Sequence, residues 1–389
     1  MRTLYMTILA ATAVFAGCAT NCACKTECIG EPPAAGPEKE PLKVAVYADL
    51  GPSGIGAAEW YRIVNDSPDM TLKLIDGAGV RAGGLAGQDL FIMPGGSSSN
   101  EYTSLGLDGI ARMKDFIRDG GGYIGTCAGC CLLMDGPRRA RVMPWNTLGS
   151  EPDLFYPQVK INEAGAKALG LKAGNHKMRY HGGPLMRATT NVIEGASFEL
   201  WGTVDSECTY RGRVNKAKRM HGAAAILGGT YGRGRVFVTS MHPEYYEAMH
   251  YIVVAAIRYV TGREVKIPRP QRRRGDLSVG YIMGSAKSVR NVQDMLDMAA
   301  VEGVDFQVLN GDDAFIDRFA HIDVLVAPAG IAKGKKSAAL RKAAENFVSR
   351  GGTLLTCSAD ATPPGGIVCR NAEEIKVRVE KLAHACIVQ

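Results

Sequence analysis

Long apolar runs are scarce in this 389-residue sequence. The only candidate, Ile8 to Ala16, is too short to span a bilayer, which needs about 20 apolar residues. Aromatic residues are also few, 7% of the chain with three tryptophans. A nucleic-acid surface needs a basic face interleaved with aromatics. The basic residues here sit in local runs, Arg138-Arg139-x-Arg141, Arg211 to Arg219 and Arg272-Arg273-Arg274, and the net charge is a modest +7. Those runs read as solvated loops, so no nucleic-acid partner is expected. Histidine is sparse, seven residues, and none lies near Cys18, Cys22, Cys24 and Cys28. That cluster lacks the ligand set of a zinc site, so no metal is expected. What remains is ordinary for a globular protein: 46% hydrophobic and 22% charged residues, with length for two or more cores.

The first residues have the form of a targeting segment. Met1-Arg2 is a positive start and Ile8 to Ala16 an apolar core. Phe15-Ala16-Gly17-Cys18 resembles a bacterial lipobox, which predicts a signal peptide over residues 1–18 and lipidation of Cys18. Ordinary cleavage near Ala19 is the alternative. The expected location is the bacterial cell envelope, on the periplasmic face of the outer membrane, with the N-terminal lipid as the membrane contact. Residues 19–41 read as a Cys- and Pro-rich tether.

The chemistry concentrates at Gly122-Tyr123-Ile124-Gly125-Thr126-Cys127-Ala128-Gly129, a buried strand entering a Gly-x-Cys-x-Gly elbow. Such an elbow holds its central residue in a strained strand-to-helix turn. A thiol there stands at a helix N-terminus, where the dipole favours the thiolate. Downstream, Ser240-Met241-His242-Pro243-Glu244 follows a strand-like run. Cys127 is the candidate nucleophile, His242 the base and Glu244 the group that orients the imidazole. Asp89 to Met93 reads as a strand ending in Pro94-Gly95-Gly96. The N–H groups of Gly96 and Ala128 are the candidate oxyanion hole.

The pattern along the chain alternates strands and helices: strand Lys43–Ala48, helix Gly54–Val64, strand Thr71–Ile75, strand Asp89–Met93, helix Leu107–Arg118, strand Tyr123–Thr126. This predicts a parallel sheet covered on both faces. Ligands in such sheets bind at the carboxyl ends of the strands, where all three motifs lie.

Pro-Gly-Gly, then Gly-Thr-Cys-Ala-Gly, then His-Pro-Glu resembles a class I glutamine amidotransferase domain. The chain is most similar to the amidotransferase-like N-terminal domain of biotin–protein ligases. It shares Tyr102 after Pro-Gly-Gly, Gly-Tyr-Ile-Gly-Thr-Cys-Ala-Gly, Tyr180-His181-Gly182-Gly183-Pro184, and Gly232-x-Gly234-Arg-Val before His-Pro-Glu. The resemblance implies a flavodoxin-like, doubly wound α/β fold with the triad at Cys127, His242 and Glu244. It implies a substrate pocket lined by Tyr102, Tyr180, His181, Gly182 and Gly183. Cys130-Cys131-Leu132 follow the elbow where glutaminases carry Gly-His-Gln. No ligase domain follows, and no cofactor is expected.

An internal repeat completes the reading. Asp323 to Gly330 mirrors Asp89 to Gly96, and Leu340 to Cys357 mirrors Ile110 to Cys127, with Gly351-Gly352 on Gly121-Gly122. Leu355 and Ala359 replace the elbow glycines, and no His-x-Glu follows. The predicted organisation is an amidotransferase-like domain over 42–263, a linker over 264–276, and a smaller, degenerate α/β domain over 277–389. Three functions fit: a Cys-His-Glu hydrolase acting through a thioester on an amide or related C–N bond of a small molecule or peptide, an inactive envelope binding protein, or a Cys127-x-x-Cys130 thiol redox protein.

Overall fold

The computed structural model describes residues 40–52, 54–151, 154–206, 209–210, 213–214, 220–268, 276–282, 289–309, 318–331 and 338–388. Cys18 and the tether lie outside the described residues, as do Arg272 to Arg274 and most of Arg211 to Arg219.

Four parallel strands begin the first sheet: β1 (Leu42–Tyr47), β2 (Met70–Ile75), β3 (Leu90–Met93) and β4 (Gly122–Thr126). Between and after them run α1 (Gly54–Asn65), α2 (Gly77–Arg81), α3 (Ser98–Arg118) and α4 (Ala128–Leu133). In space the order is β2-β1-β3-β4, with the strand Gly234–Thr239 parallel to β4 beyond it. This is the 2-1-3-4-5 order of a flavodoxin-like sheet. Successive side chains point to opposite faces of a strand. Val44, Val46, Leu90 and Ile92 therefore enter one core, and Ala45, Tyr47, Phe91 and Met93 the other. Burial on both faces explains why these strands are apolar throughout.

The sheet also has a half that the alternation did not predict. Past Gly234–Thr239 it continues antiparallel through Ala224–Tyr231, Ala196–Val204, Gln158–Ile161 and Gly174–Lys177. A short turn joins Ala224–Tyr231 to Gly234–Thr239, while the helix Glu163–Leu169 lies between Gln158–Ile161 and its antiparallel neighbour Gly174–Lys177. Helix α3 is longer than predicted. It starts at Ser98 and breaks at Gly106, whose φ of 64° is left-handed. The predicted Leu107–Arg118 is its second segment.

A second sheet is built from Leu277–Ile282, Val304–Leu309, Val324–Ala327, Thr353–Thr356 and Ile367–Val368, all parallel. Numbered along the chain, its strands again lie in the order 2-1-3-4-5. The likeness extends to single hydrogen bonds. The Lys43 N–H donates to the Asp89 carboxylate at 2.8 Å, and the Ser278 N–H to that of Asp323 at 2.8 Å. Each aspartate N–H returns a bond to the same partner's carbonyl, at 2.8 and 2.9 Å. The helix-to-strand turns correspond as well, with one correction to the predicted alignment. The Gly121 N–H donates to the Phe116 carbonyl, and the Gly352 N–H to that of Phe347, each at 3.0 Å. Gly121 therefore matches Gly352, not Gly351. The shift persists through the strand: Leu90 pairs with Gly122 as Val324 pairs with Thr353, and Met93 with Gly125 as Ala327 with Thr356, so Thr126 matches Cys357 and Cys127 matches Ser358, not Cys357 as predicted.

Each aspartate staple ties the start of a strand to the loop before its neighbour. Asp89→Ala and Asp323→Ala are each expected to cost about 1 kcal/mol, the usual net value of one such bond. Urea midpoints of the two variants check this; unchanged midpoints would show that the staples carry no weight.

Candidate active site

Register brings the two motifs side by side. Thr126, the last residue of β4, pairs with Thr239 on the adjacent strand. The chain leaves β4 at Cys127, and leaves the other strand at Ser240, two residues before His242. The Cys127 N–H donates to the Thr239 carbonyl at 2.8 Å. Cys127 then takes φ 50° and ψ −104°, a sparsely populated conformation for an L-residue. Such a residue costs about 1–3 kcal/mol and persists only where its surroundings enforce it.

The enforcement is steric. A Cβ on Gly129 would lie 2.1 Å from the Met93 carbonyl oxygen. A Cβ on Gly125 would lie 2.6 Å from the Gly129 backbone. Strand β4, helix α4 and the end of β3 thus meet at a distance that admits only glycine. Gly95 lies against both the Cys127 and the His242 side chains. A Cβ there would sit 2.7 Å from His242 Cε1 and 3.0 Å from Cys127 Cβ.

His242 is buried and bonded on both sides. Its Nδ1 meets Glu244 Oε1 at 2.9 Å, and Cys127 is its other side-chain hydrogen-bond partner. Burial alone would lower the imidazole pKa, but the Glu244 carboxylate and the Cys127 sulfur overcome it and push it up to about 9. The imidazolium is therefore the resting form at neutral pH, flanked by the Glu244 carboxyl and the Cys127 sulfur. The backbone holds it as well: the His242 N–H donates to the Arg179 carbonyl at 2.8 Å. Its ring meets Tyr245 edge-on at 5.0 Å, and the Arg179 guanidinium lies 3.8 Å over Tyr245.

Glu244 is itself fixed by a chain that the motifs did not reveal. The Thr126 hydroxyl donates to Glu244 Oε1 at 3.2 Å, and Trp60 Nε1–H donates to that hydroxyl at 3.3 Å. Trp60 comes from α1, so three elements converge on one carboxylate.

The pocket residues fall into two groups. Gly183 presses on the Ser240 carbonyl, 2.0 Å from where its Cβ would be, and the His181 carbonyl stands 3.8 Å from Cys127 Sγ. The loop 180–183 thus lies over the nucleophile, and Cys127 keeps only 7% exposure. Gly182, at φ 72°, has open space around it. Tyr180 is wholly buried beneath this loop; its hydroxyl donates to the Gly183 carbonyl at 2.7 Å and accepts from the Glu151 N–H at 2.8 Å. It anchors the loop and does not face the opening. Tyr102 is half-buried in the first turn of α3. For the oxyanion hole, Ala128 is the first residue of α4, so its N–H has no intrahelical acceptor. Gly96 forms an isolated bridge with Pro52, in which the Ser97 N–H donates to the Gly51 carbonyl at 3.0 Å.

Cys130 faces the core, with its sulfur 3.3 Å from Met186 Sδ. Burial pushes its thiol well up, and that of Cys131 up. Cys127, Cys130 and Cys131 are all free thiols. Among the described residues no cluster of His, Cys, Asp or Glu could hold a metal.

Residues 86–132 match the family model described as biotin-protein ligase, N terminal. That span runs from the loop before β3 through the elbow. The class I amidotransferase-like resemblance, and within it the biotin–protein ligase N-terminal one, stands on this match. No curated protein sequence matches the chain. Among solved structures the chain is similar to PurLQS from Thermotoga maritima, at 13% identity over 56% of this chain and 99% of that one, TM-score 0.40. It is similar to a ThuA-like protein from Bacteroides uniformis ATCC 8492, at 10% identity over 60% and 97%, TM-score 0.45. It is also similar to a glutamine amidotransferase, at 18% identity over 55% and 98%, TM-score 0.36.

The raised His242 pKa gives stability a definite sign with pH. The folded state binds the imidazole proton more tightly than the unfolded chain. That contribution is complete below the unfolded value of about 6.5 and is lost as pH rises through about 9. Urea midpoints of wild type and His242→Ala across this window should converge as pH rises, by at most about 3 kcal/mol. A constant difference would mean that no imidazolium is stabilised.

Proposed function

We propose that this chain is a cysteine-nucleophile amidohydrolase on an amidotransferase-like fold, acting at the bacterial cell envelope on a small-molecule or peptide amide. The observation that carries the proposal is the strained Cys127 facing the His242–Glu244 pair across Gly95. In this reading the thiolate attacks the amide carbon and the carbonyl electron pair moves onto oxygen. The N–H groups of Gly96 and Ala128 receive that oxyanion. Collapse breaks the C–N bond as His242 protonates the departing nitrogen, leaving a thioester on Cys127. Water then attacks the thioester, His242 takes its proton, and the thiolate leaves. Glu244 accepts from Nδ1 of the imidazole and keeps that nitrogen directed away from the sulfur.

Several features limit the substrate. The loop 180–183 covers the thiol, so the amide must be slender at the scissile bond or the loop must open at Gly182. The residues after the elbow, Cys130-Cys131-Leu132, are apolar and buried, unlike the Gly-His-Gln of glutaminases. This favours an acyl group other than glutamine's. The burial and raised pKa of Cys130 weigh against a Cys127–Cys130 redox pair. A binding protein that retains the fold is the second reading, and the covered thiol is what favours it. Lipidation at Cys18 and an inactive role for the second sheet belong to the same proposal. In support of the latter, Ser358 stands at the position of Cys127 and lacks its positive φ.

Alkylation of Cys127 with iodoacetamide, followed by peptide mass spectrometry across pH, tests the triad. Wild type should react rapidly at neutral pH, and His242→Ala should lose the neutral-pH reactivity. Turnover of any amide found by screening should fall about 10²–10⁴-fold in His242→Ala, the usual worth of a general acid–base group. Slow alkylation that the mutation leaves unchanged would sink the hydrolase and leave a binding protein.

A further inference from the structure

Glu101 is the one buried carboxyl near Cys127 that the triad does not use. It lies in the first turn of α3, five residues after Gly96, and is 0% exposed. Neither of its carboxylate oxygens has a hydrogen-bond partner. Its burial comes from the backbone around it. Gly51, at φ 132°, packs so closely that a Cβ there would sit 2.5 Å from Glu101 Cγ and 2.9 Å from its nitrogen. The Ser97 N–H bonds the Gly51 carbonyl, and the Glu101 N–H bonds the Ser97 carbonyl, each at 3.0 Å. The same turn of α3 packs against the elbow helix, where Ser98 is a hydrogen-bond partner of Cys131.

The groups facing Glu101 come from every neighbouring element. Tyr47 stands on β1, Tyr61 on α1 and Tyr123 on β4. Cys127 at the elbow and Arg139 in the loop after α4 act on it electrostatically, the sulfur opposing its ionisation and the guanidinium favouring it. All three phenols are themselves pushed upward by burial, so none offers a counter-charge. A wholly buried carboxylate with no hydrogen bond is far costlier than the neutral acid. Desolvation therefore raises Glu101 well above the usual carboxylate range, and a charged sulfur raises it further.

We propose that Glu101 is a positioning residue that stays protonated behind a charged Cys127, so that the elbow carries a single negative charge and that charge sits on the sulfur, where His242 can pair with it. The proposal rests on the triad reading above. The asymmetry between the two groups decides where the charge resides. Cys127 has the His242 imidazolium within hydrogen-bond reach, whereas the Glu101 carboxyl has no hydrogen-bond partner among the described residues. Its oxygens are sealed from solvent, so Glu101 does not touch substrate and acts through Cys127. The coupling is reciprocal. When the sulfur becomes a thioester or thioether it loses its charge, and Glu101 then releases its proton at lower pH than in the free enzyme.

Infrared spectroscopy of the whole protein tests this. Wild type minus Glu101→Gln at neutral pH should show the C=O stretch of a protonated carboxyl. Carbon-isotope labelling of glutamate makes the same assignment in wild type if the variant folds poorly. The band should bleach on alkaline titration, at a lower pH once iodoacetamide has neutralised Cys127. Glu101→Gln, a neutral group of the same shape, should leave the rate of Cys127 alkylation at neutral pH unchanged. Absence of the band overturns the proposal. So does a band indifferent to alkylation in a protein whose Cys127 reactivity still depends on His242. If Cys127 reactivity is independent of His242, the triad reading falls first and this inference falls with it.

Discussion

Cys127 holds a backbone conformation that an isolated L-residue avoids, and three elements must crowd together to keep it there. The Thr239 carbonyl takes its N–H, the Met93 carbonyl blocks any side chain at Gly129, and the Gly129 backbone blocks any at Gly125. Each contact is made by main chain against main chain, so side-chain rearrangement cannot relieve it. The strain of about 1–3 kcal/mol is small against the burial of two apolar cores around the sheet. In return the side chain leaves the end of β4 at the first turn of α4, where a helix dipole favours negative charge. The 2-1-3-4-5 strand order matters because it sets Gly234–Thr239 beside β4 and carries His242 to the same edge.

Electrostatics then sets the state of the site. His242 is inside the protein, where an unpaired imidazolium would lose its proton. It keeps that proton because Glu244 and Cys127 flank the ring, and Glu244 in turn is bonded by Thr126 with Trp60 behind it. A sequence of bonds thus runs from α1 to the sulfur. Glu101 extends the same logic to the other side of the elbow. There the buried carboxyl without a hydrogen-bond partner among the described residues is pushed toward its neutral form.

Much of this was legible in the sequence because it is written locally. The elbow needs glycines two residues either side of the cysteine, and His-Pro-Glu places base and orienting acid within three positions. The parallel strands announce themselves as unbroken apolar runs because both faces are covered. Other parts depend on distance along the chain. Trp60 is 66 residues from Thr126, and nothing at either position predicts their bond. Glu101 follows Ser97-Ser98-Ser99-Asn100, which reads as a solvated helix start; it is buried only because Gly51, fifty residues earlier, presses on it. Tyr180 belongs to the shared motif, yet its hydroxyl is spent on Gly183 and Glu151, an anchoring task that the motif does not announce. The antiparallel half of the sheet alternates too irregularly to be read, with register shifts at Leu200/Gly202 and Gly202/Thr203.

The second sheet isolates what the elbow adds to the fold. It keeps the strand order, the aspartate staple and the phenylalanine-over-glycine turn. It does not keep the cysteine in register: Met93 pairs with Gly125 as Ala327 pairs with Thr356, which sets Ser358 at the position of Cys127. The space around that position differs as well. Thr356 and Asp360 stand in place of the two glycines, so strand and following segment carry side chains where β4 and α4 carry none. Cys357 donates its N–H to the Pro328 carbonyl, at the end of the neighbouring strand corresponding to β3, and neither it nor Ser358 adopts a positive φ. Its segment continues to Thr362, bonded to the Ser358 carbonyl, without forming a helix at the elbow. A βα unit can therefore preserve the features that build the sheet without forming the elbow. The elbow depends on the two glycines, while the parallel scaffold is indifferent to them.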